Sequence, residues 1–465
     1  MNRSPILIPG LLSLGLYLFV ALRLDASNSA RDVFGFVAIF AVLFLLYGFT
    51  FWRSETFKTP SARQILVFAA LFRLAMIFAG LPPGQTGPAL EADLSGERVG
   101  YDTFLLYDND IWRYLWDGHV LASGLSPYEK TPREFADDAA SRADDSQAPL
   151  ESALWWDIFD NISYQSYTTV YPPLAQYLFA LSSFIRPGSV LVLKSLVALA
   201  DLGICLILAC WLGKLGRPPH YLLLYAWNPL AIKELSGSGH VDALMVLLVV
   251  TSIYFLTRRK AVGAQLSLAA ATMAKIGAAA LTPIVWRHSP LRSWWALPVS
   301  AAALALPLLG QMHSLIQGLS AYAQQWTFNS GPWAAVRQIL EWVGVENPDP
   351  VATWITRALI LAVIVWATWY SRSSANDELR IPRAVFIVLA TLVLLNSAVM
   401  PWYLLWALPF AALIGNRSWC LLTGLSLLSY LVYFYRSEQS WWLWVEYGVF
   451  ALFLVAELRH RSPET

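Results

Sequence analysis

The chain has 465 residues, of which 57% are hydrophobic and 14% are charged, and its formal net charge is +1 at pH 7. A water-soluble domain needs more polar surface than this, so the composition excludes a soluble globular protein and predicts a polytopic membrane protein. The 22 Trp and 20 Tyr residues suit the two membrane–water interfaces.

Hydrophobic blocks long enough to cross a bilayer follow one another along the whole chain. A helical span needs about 20 apolar residues, which predicts an all-α bundle of about twelve transmembrane helices in one domain, residues 1–465. We expect the first block to be a retained helix rather than a cleaved signal peptide. The predicted spans are 5–22, 33–52, 63–81, 189–212, 219–235, 241–257, 294–310, 351–371, 383–399, 402–415, 419–435 and 441–458.

The Lys and Arg residues of the short loops all fall on one side of this threading, and that side is predicted to be cytoplasmic. Examples are Arg53, Lys214, Arg258 and Arg417. Both termini are then cytoplasmic. Residues 82–171 form a large first extracytoplasmic loop with 16 acidic and 5 basic residues.

Two apolar segments do not fit as spans. Residues 174–186 are too short to cross, so we predict a helix that lies along the outer interface. Basic clusters flank both ends of residues 261–286, and Lys275 and Gly277 lie in the middle. Two half-helices that enter and leave at the cytoplasmic face explain this pattern, provided that protein buries the break.

The outer loop contains an acidic motif at the start of a predicted helix over residues 110–121. The i, i+3, i+4 and i+7 spacing places Asp110, Arg113, Tyr114 and Asp117 on one helix face, with Asp108 just before it. A solvated acidic face is the alternative interpretation. If the site bound a metal, we expect Asp108 and Asp110 to be its ligands.

Several residues around this helix also belong to the predicted site. Trp112 and Trp116 form a neighbouring stripe that we expect to face lipid headgroups. His119 ends the motif, Tyr128 lies in a Gly-Leu-Ser-Pro-Tyr turn, and Tyr171 opens a Tyr-Pro-Pro segment. These turns favour a shaped site over an unstructured acidic loop.

The turn between the predicted spans 219–235 and 241–257 supplies further polar groups: Asn228, Glu234, His240 and Asp242. Ionisable side chains at membrane depth are unfavourable unless they serve a function. Asp242 could instead be a helix cap, and His240 an ordinary interfacial residue.

Another predicted outer turn contributes Trp402 and Tyr403, which could also be simple interface anchors. The sequence has no phosphate-binding glycine loop, dinucleotide fingerprint, zinc spacing or nucleophile elbow. We expect no nucleic-acid partner and no certain cofactor, with Mg²⁺ or Mn²⁺ as the possible exception.

An outward-facing site cannot use cytoplasmic nucleotide sugars, so an activated sugar would have to arrive on a lipid such as polyprenyl phosphate. Transfer to an acceptor hydroxyl needs a carboxylate to accept the proton and a positive group near the departing phosphate. Asp108 or Asp110 could be the base. Arg113, His240 or a metal could stabilise the phosphate.

The motifs together resemble the bacterial branch of the GT-C glycosyltransferases, in particular the polyprenyl-phosphate-mannose-dependent mannosyltransferases. The resemblance runs from about residue 66 to 410. It rests on Asp-Asn-Asp-Ile-Trp-Arg-Tyr-Leu-Trp-Asp-Gly-His, Gly-Leu-Ser-Pro-Tyr, Tyr-Pro-Pro-Leu-Ala-Gln, Gly-His-Val-Asp-Ala-Leu and Pro-Trp-Tyr-Leu-Leu-Trp in this order.

The resemblance implies an inverting transfer of a hexose, most simply mannose, with Asp110 as the base and Asp108 as the second choice. It also implies membrane lipids and a glycan, lipid or protein acceptor as partners, and a bacterial inner membrane. Two spans within residues 1–62 are extra relative to many relatives. A lipid-linked sugar transporter or flippase, or a non-catalytic envelope-assembly subunit, are the alternatives.

Overall fold

The computed structural model describes residues 6–24, 30–80, 106–141, 152–372, 377–435 and 441–460. Within these ranges the regular structure is helical, apart from one isolated parallel bridge between Phe328 and Ala398. The predicted all-α class is confirmed.

In the part of the chain that the structure describes, five helices are long and apolar enough to cross a membrane: Asp32–Thr56, Val190–Lys214, Leu291–Ala323, Pro348–Tyr370 and Trp441–His460. Their outer faces carry large exposed hydrophobic side chains, such as Leu45 and Leu452. Exposed apolar surface of this extent is stable only against lipid, so the protein is a polytopic membrane protein as predicted.

Shorter helices complete the bundle. The remaining helices of nine residues or more are Leu7–Arg23, Ala62–Met76, Asp110–Ala122, Pro132–Ser141, Ala153–Asn161, Pro173–Ile185, Asp242–Thr257, Ala261–Ala274, Ala296–Ala305, Met312–Gln325, Gly331–Trp342, Arg380–Leu394 and Arg417–Leu425. Those at Ala296–Ala305 and Met312–Gln325 belong to the long apolar stretch given above. The short helix predicted over residues 174–186 is present as Pro173–Ile185.

Four of the predicted spans are divided between helix types. The one over residues 294–310 changes from α-helix to 3₁₀ helix at Leu306. The segment over residues 219–237, here called the broken segment, passes from a 3₁₀ turn through two short α-helical pieces into a π-helix at Ile232–Gly237. Pro229 cannot donate a backbone hydrogen bond, which stops the helix there. Residues 401–414 and 417–435 are likewise divided between α-helical and 3₁₀ pieces.

Buried side chains satisfy the backbone freed by the break. Arg73 donates from Nη1 to the carbonyl of Ala226 at 2.8 Å and from Nε to Oδ2 of Asp201 at 2.7 Å. Tyr225 donates to Oδ1 of the same aspartate at 2.7 Å. A non-helical backbone inside a membrane protein requires such internal partners.

Residues 261–287 form the predicted pair of half-helices. Ala261–Ala274 ends at Lys275, and the chain returns through a 3₁₀ turn and Thr282–Arg287. A cavity on one face is lined by Arg258, just before the pair, and by His288, just after it. Both ends of the pair therefore lie on the same face, and Lys275 lies towards the opposite one.

The two faces of the bundle differ in the residues that they collect. On one face, Arg417 Nη2 lies 2.6 Å from Oε1 of Glu55, and Glu457 accepts the backbone N–H of Arg417 at 3.1 Å. Oγ1 of Thr59 and Nδ1 of His220 are 3.4 Å apart on this face. The turns that carry Asp110, His240 and Trp402 meet at the opposite face, which carries the candidate site.

The expectation that Trp112 and Trp116 face lipid headgroups is wrong. Both side chains are 1% exposed and belong to a core beneath the acidic helix, Asp110–Ala122. Gly118 allows the helix Pro173–Ile185 to approach closely, since a Cβ atom there would lie 2.3 Å from the carbonyl oxygen of Phe179. The two tryptophans are therefore covered by protein.

Candidate active site

A tight turn presents the two loop carboxylates in different environments. Leu106 and Tyr107 have positive φ angles of 51° and 64°, and Asp108 Oδ1 accepts the backbone N–H of Asp110 at 2.9 Å. The side chain of Asp108 is 7% exposed, whereas that of Asp110 is 36% exposed. Asp110 is thus the carboxylate that solvent or substrate can reach.

His240 joins the acidic loop to the broken segment. Its Nε2 lies 2.8 Å from Oδ2 of Asp108 and 3.3 Å from Oε2 of Glu234, and its Nδ1 lies 4.0 Å from Oδ2 of Asp110. Burial acts to raise the pKa of Asp108, but the charges of His240 and Lys233 outweigh it and lower that pKa below its usual value.

Glu234 is held by its own neighbour and by a tyrosine from the other end of the chain. Nζ of Lys233 lies 3.1 Å from Oε2 of Glu234 and donates to the hydroxyl of Tyr430 at 2.6 Å. Tyr430 donates to Oε1 of Glu234. The π-helix over residues 232–237 widens the turn, and both consecutive charged side chains are buried there.

Tyrosine hydroxyls surround the exposed carboxylate. Tyr171 and Tyr114 donate to Oδ2 of Asp110 at 3.3 Å and 3.4 Å. Tyr128 donates to the carbonyl of Tyr171 at 2.6 Å and so fixes that segment. Burial, followed by the negative charge of Asp108, raises the pKa of Asp110 to about 6.

A second ion pair lies beside the aromatic turn, Pro401–Trp406. Nζ of Lys275 is 2.8 Å from both carboxylate oxygens of Asp242, and Trp406 donates from Nε1 to Oδ1 of Asp242 at 2.6 Å. The ammonium lies 4.6 Å from the ring centroid of Tyr403. Asp242 makes no side-chain cap to its helix, so the cap interpretation is wrong.

The structure brings most of the predicted site residues together. Trp402 stacks on His240 with ring centroids 3.7 Å apart, and Tyr403 shares a 2.8 Å hydrogen bond with Tyr322. The shared cluster contains Asp108, Asp110, Tyr114, Tyr171, Glu234, His240, Asp242, Trp402 and Tyr403. Sequence reasoning did not assign Lys275 to the site, although a lysine inside an apolar segment was the signal.

Four predicted site residues serve other contacts. Arg113 donates to Asp117 at 2.8 Å and to the carbonyl of Tyr167 at 3.0 Å, so this pair anchors the loop rather than facing Asp110. His119 stacks on Trp155 at 3.6 Å. Asn228 caps the short helix after the break and donates to Thr423 at 2.8 Å.

Three ligand atoms could hold a divalent cation. They come from Asp108, Glu234 and His240 and all lie within 4.8 Å of one another. Asp110 is not in this group, so the expected pairing of Asp108 with Asp110 as ligands differs from the geometry. One imidazole and two carboxylates form a chemically suitable set for Mn²⁺.

One comparison with known proteins gives a match. Residues 103–289 match the family model described as Alpha-(1->6)-mannopyranosyltransferase, N-terminal domain. The match covers about two fifths of the chain. No curated protein matches the chain.

The match supports a glycosyltransferase of the mannosyltransferase type, an activity that implies a sugar donor and a glycan acceptor. The matched residues include the acidic helix, the broken segment and the half-helix pair. Trp402, Tyr403 and Tyr430 lie beyond the match, yet they contact matched residues directly.

Proposed function

We propose that this mannosyltransferase has a GT-C-type fold and transfers mannose from a polyprenyl-phosphate-linked donor to an acceptor hydroxyl, with inversion at the sugar. The observation that carries the proposal is the contrast between Asp110, whose side chain is 36% exposed, and the buried carboxylates of Asp108, Glu234 and Asp242 beside it. A single reachable carboxylate next to buried polar groups is what a general base requires.

In the proposed reaction, the acceptor oxygen forms a bond to the anomeric carbon as the bond from that carbon to the phosphate oxygen breaks. The electron pair leaves with the phosphate, and the acceptor proton passes to Asp110. The pKa of about 6 leaves Asp110 mostly ionised at neutral pH while it remains basic enough to accept a proton.

The neighbours of Asp110 have supporting roles in this proposal. Asp108 and Trp402 hold the imidazole of His240 from its edge and its face. Tyr114 and Tyr171 orient the carboxylate. Asp108, Glu234 and His240 would hold a divalent cation if one bound, but the proposed reaction does not require it, because Lys233 and His240 already pair with these carboxylates.

We also propose that the site faces the outside of a bacterial inner membrane and that both termini are cytoplasmic. The short-loop basic residues, including Lys214, Arg258 and Arg417, lie on the face opposite the site, which supports this orientation. A lipid-linked donor then follows, because nucleotide sugars are on the other side. The acceptor is a glycan, lipid or protein hydroxyl, and the family description suggests an α-(1→6) linkage.

The test is sugar transfer by the purified protein in lipid vesicles, with radiolabelled polyprenyl-phosphate mannose and a lipid-glycan extract. We expect Asp110→Asn to lower the rate by about 10²- to 10⁴-fold and Asp108→Asn to lower it less. Asp138→Asn is the matched control, because this carboxylate of the same loop is 44% exposed and pairs with Lys130.

Wild-type rates in Asp110→Asn would rule out the assigned base. Direct use of a nucleotide sugar in the absence of a lipid-linked intermediate would rule out the donor class. A comparison of lipid-glycan profiles of cells with and without the gene would then identify the sugar and the acceptor.

A further inference from the structure

We propose that the ammonium group of Lys275 binds the phosphate of the lipid-linked donor, and that Asp242 and Trp406 position it for this contact. The inference rests on the proposed function, because it assigns the leaving-group subsite of the same site. The sequence suggested Arg113, His240 or a metal for this role, and not Lys275.

Lys275 combines a fixed position with partial exposure of its side chain. Its side chain is 16% exposed, whereas Asp242 is fully buried. The carboxylate of Asp242 already accepts from Lys275 through both oxygens and from Trp406. The exposed member of the pair is therefore the cation, and an anion is the ligand that this arrangement favours.

The break between the half-helices explains how a lysine reaches this position. Lys275 follows the last residue of Ala261–Ala274, and its backbone is extended, with φ −156° and ψ 125°. An ammonium has three N–H donors. The described contacts direct its hydrogen bonds to the two oxygens of Asp242, which leaves one N–H donor for a ligand.

The other cations near the site are already committed. Lys233 is fully buried between Glu234 and Tyr430. Lys194 is fully buried and donates to the carbonyl of Ala79 at 2.7 Å. Arg113 pairs with Asp117. Lys275 is the cation of this group that combines a fixed ammonium with a partly exposed side chain.

The position of Lys275 relative to Asp110 fits an inverting displacement. The ammonium lies over Tyr403, whose neighbour Trp402 stacks on His240. His240 in turn lies 4.0 Å from Asp110. The base and the cation are thus linked through the aromatic turn without contacting each other in the described contacts. An inverting transfer needs the base and the leaving group to contact the sugar at two separate places.

The test measures binding instead of turnover. Purified full-length protein in detergent is titrated with a polyprenyl monophosphate and with the corresponding uncharged polyprenol, and tryptophan fluorescence reports the Kd of each. Wild type should prefer the phosphate. We expect Lys275→Met to lose about 10- to 100-fold of that preference, the value of a charge-assisted hydrogen bond, and Lys275→Arg to keep most of it.

Removal of Lys275 alone leaves a buried carboxylate unpaired and could prevent folding. The double variant Lys275→Met/Asp242→Asn removes both charges and retains an oxygen for Trp406. Lys214→Met is the control, because Lys214 is an exposed lysine on the opposite face. The polyprenol Kd should be unchanged in every variant.

If the double variant prefers the phosphate over the polyprenol as strongly as the wild-type protein does, the proposed anion site is ruled out. If mannose transfer occurs while that preference survives, the proposed function stands and this inference fails. The wild-type protein could transfer no mannose and still prefer the phosphate, while the double variant lacks that preference. In that case the anion site stands and the proposed donor sugar fails.

Discussion

The imidazole of His240 stacks on the indole of Trp402, with ring centroids 3.7 Å apart and ring planes inclined by 21°. This contact joins a residue inside the family match, which covers residues 103–289, to one beyond it. The site is therefore completed by the C-terminal part of the chain. The same is true of the contact between Glu234 and Tyr430.

The stacking contact predicts a role for the shape of Trp402 rather than its interfacial position. Trp402→Ala should lower kcat/KM by about 2- to 10-fold, the value of an aromatic pair, while Trp402→Phe should retain most of the activity. The measurement is steady-state transfer in vesicles. Trp369→Ala is the control, because this tryptophan is exposed on a spanning helix. Equal loss in Trp402→Phe and Trp402→Ala would contradict a stacking role.

The pKa of about 6 for Asp110 predicts the acid limb of the pH–rate profile. The base must be ionised, and its protonated fraction grows as the pH falls through 6. We therefore expect kcat/KM to be level near pH 7 to 8 and to fall about tenfold per unit well below pH 6. Stopping the reaction at timed points in buffers of matched ionic strength gives the profile. A constant rate from pH 7 down to pH 5 would exclude Asp110 as the titrating base.

Gly118 should be intolerant of any side chain. A Cβ atom would approach the carbonyl oxygen of Phe179 to 2.3 Å, so Gly118→Ala must separate the acidic helix from Pro173–Ile185. We expect a loss of about 1–3 kcal/mol in unfolding free energy and reduced activity. Gly213→Ala is the matched helical control, because nothing lies within 4 Å of its added Cβ. Thermal melts of both variants in detergent decide the point, and equal midpoints would show that this helix contact is not tight.

The charge balance of the buried cluster predicts the response to chelation. Lys233 already lies 3.1 Å from Glu234, and His240 lies 2.8 Å from Asp108. Two cations can thus neutralise two carboxylates within the protein. We expect transfer activity to survive EDTA and extensive washing. Loss of activity that Mn²⁺ restores would instead make Asp108, Glu234 and His240 a working metal site.

Several features followed from the sequence because they depend on local pattern or total composition. The apolar blocks predicted the membrane class, and the basic loops predicted that the turns bearing Asp110, His240 and Trp402 would share one face. The half-helix pair was also predicted correctly, because basic clusters at both of its ends exclude a single crossing.

Only the tertiary structure decided which polar groups meet at the candidate site. Arg113 and Asp117 satisfy each other one helical turn apart, and Asp242 turns towards Lys275, which the sequence places 33 residues later. Trp112 and Trp116 are buried because lipid and protein interior are both apolar, and a tryptophan stripe does not distinguish them. The sequence pattern determines which side chains avoid water. The packing of distant helices determines which partner each buried charge acquires, because that pairing depends on the distances between segments.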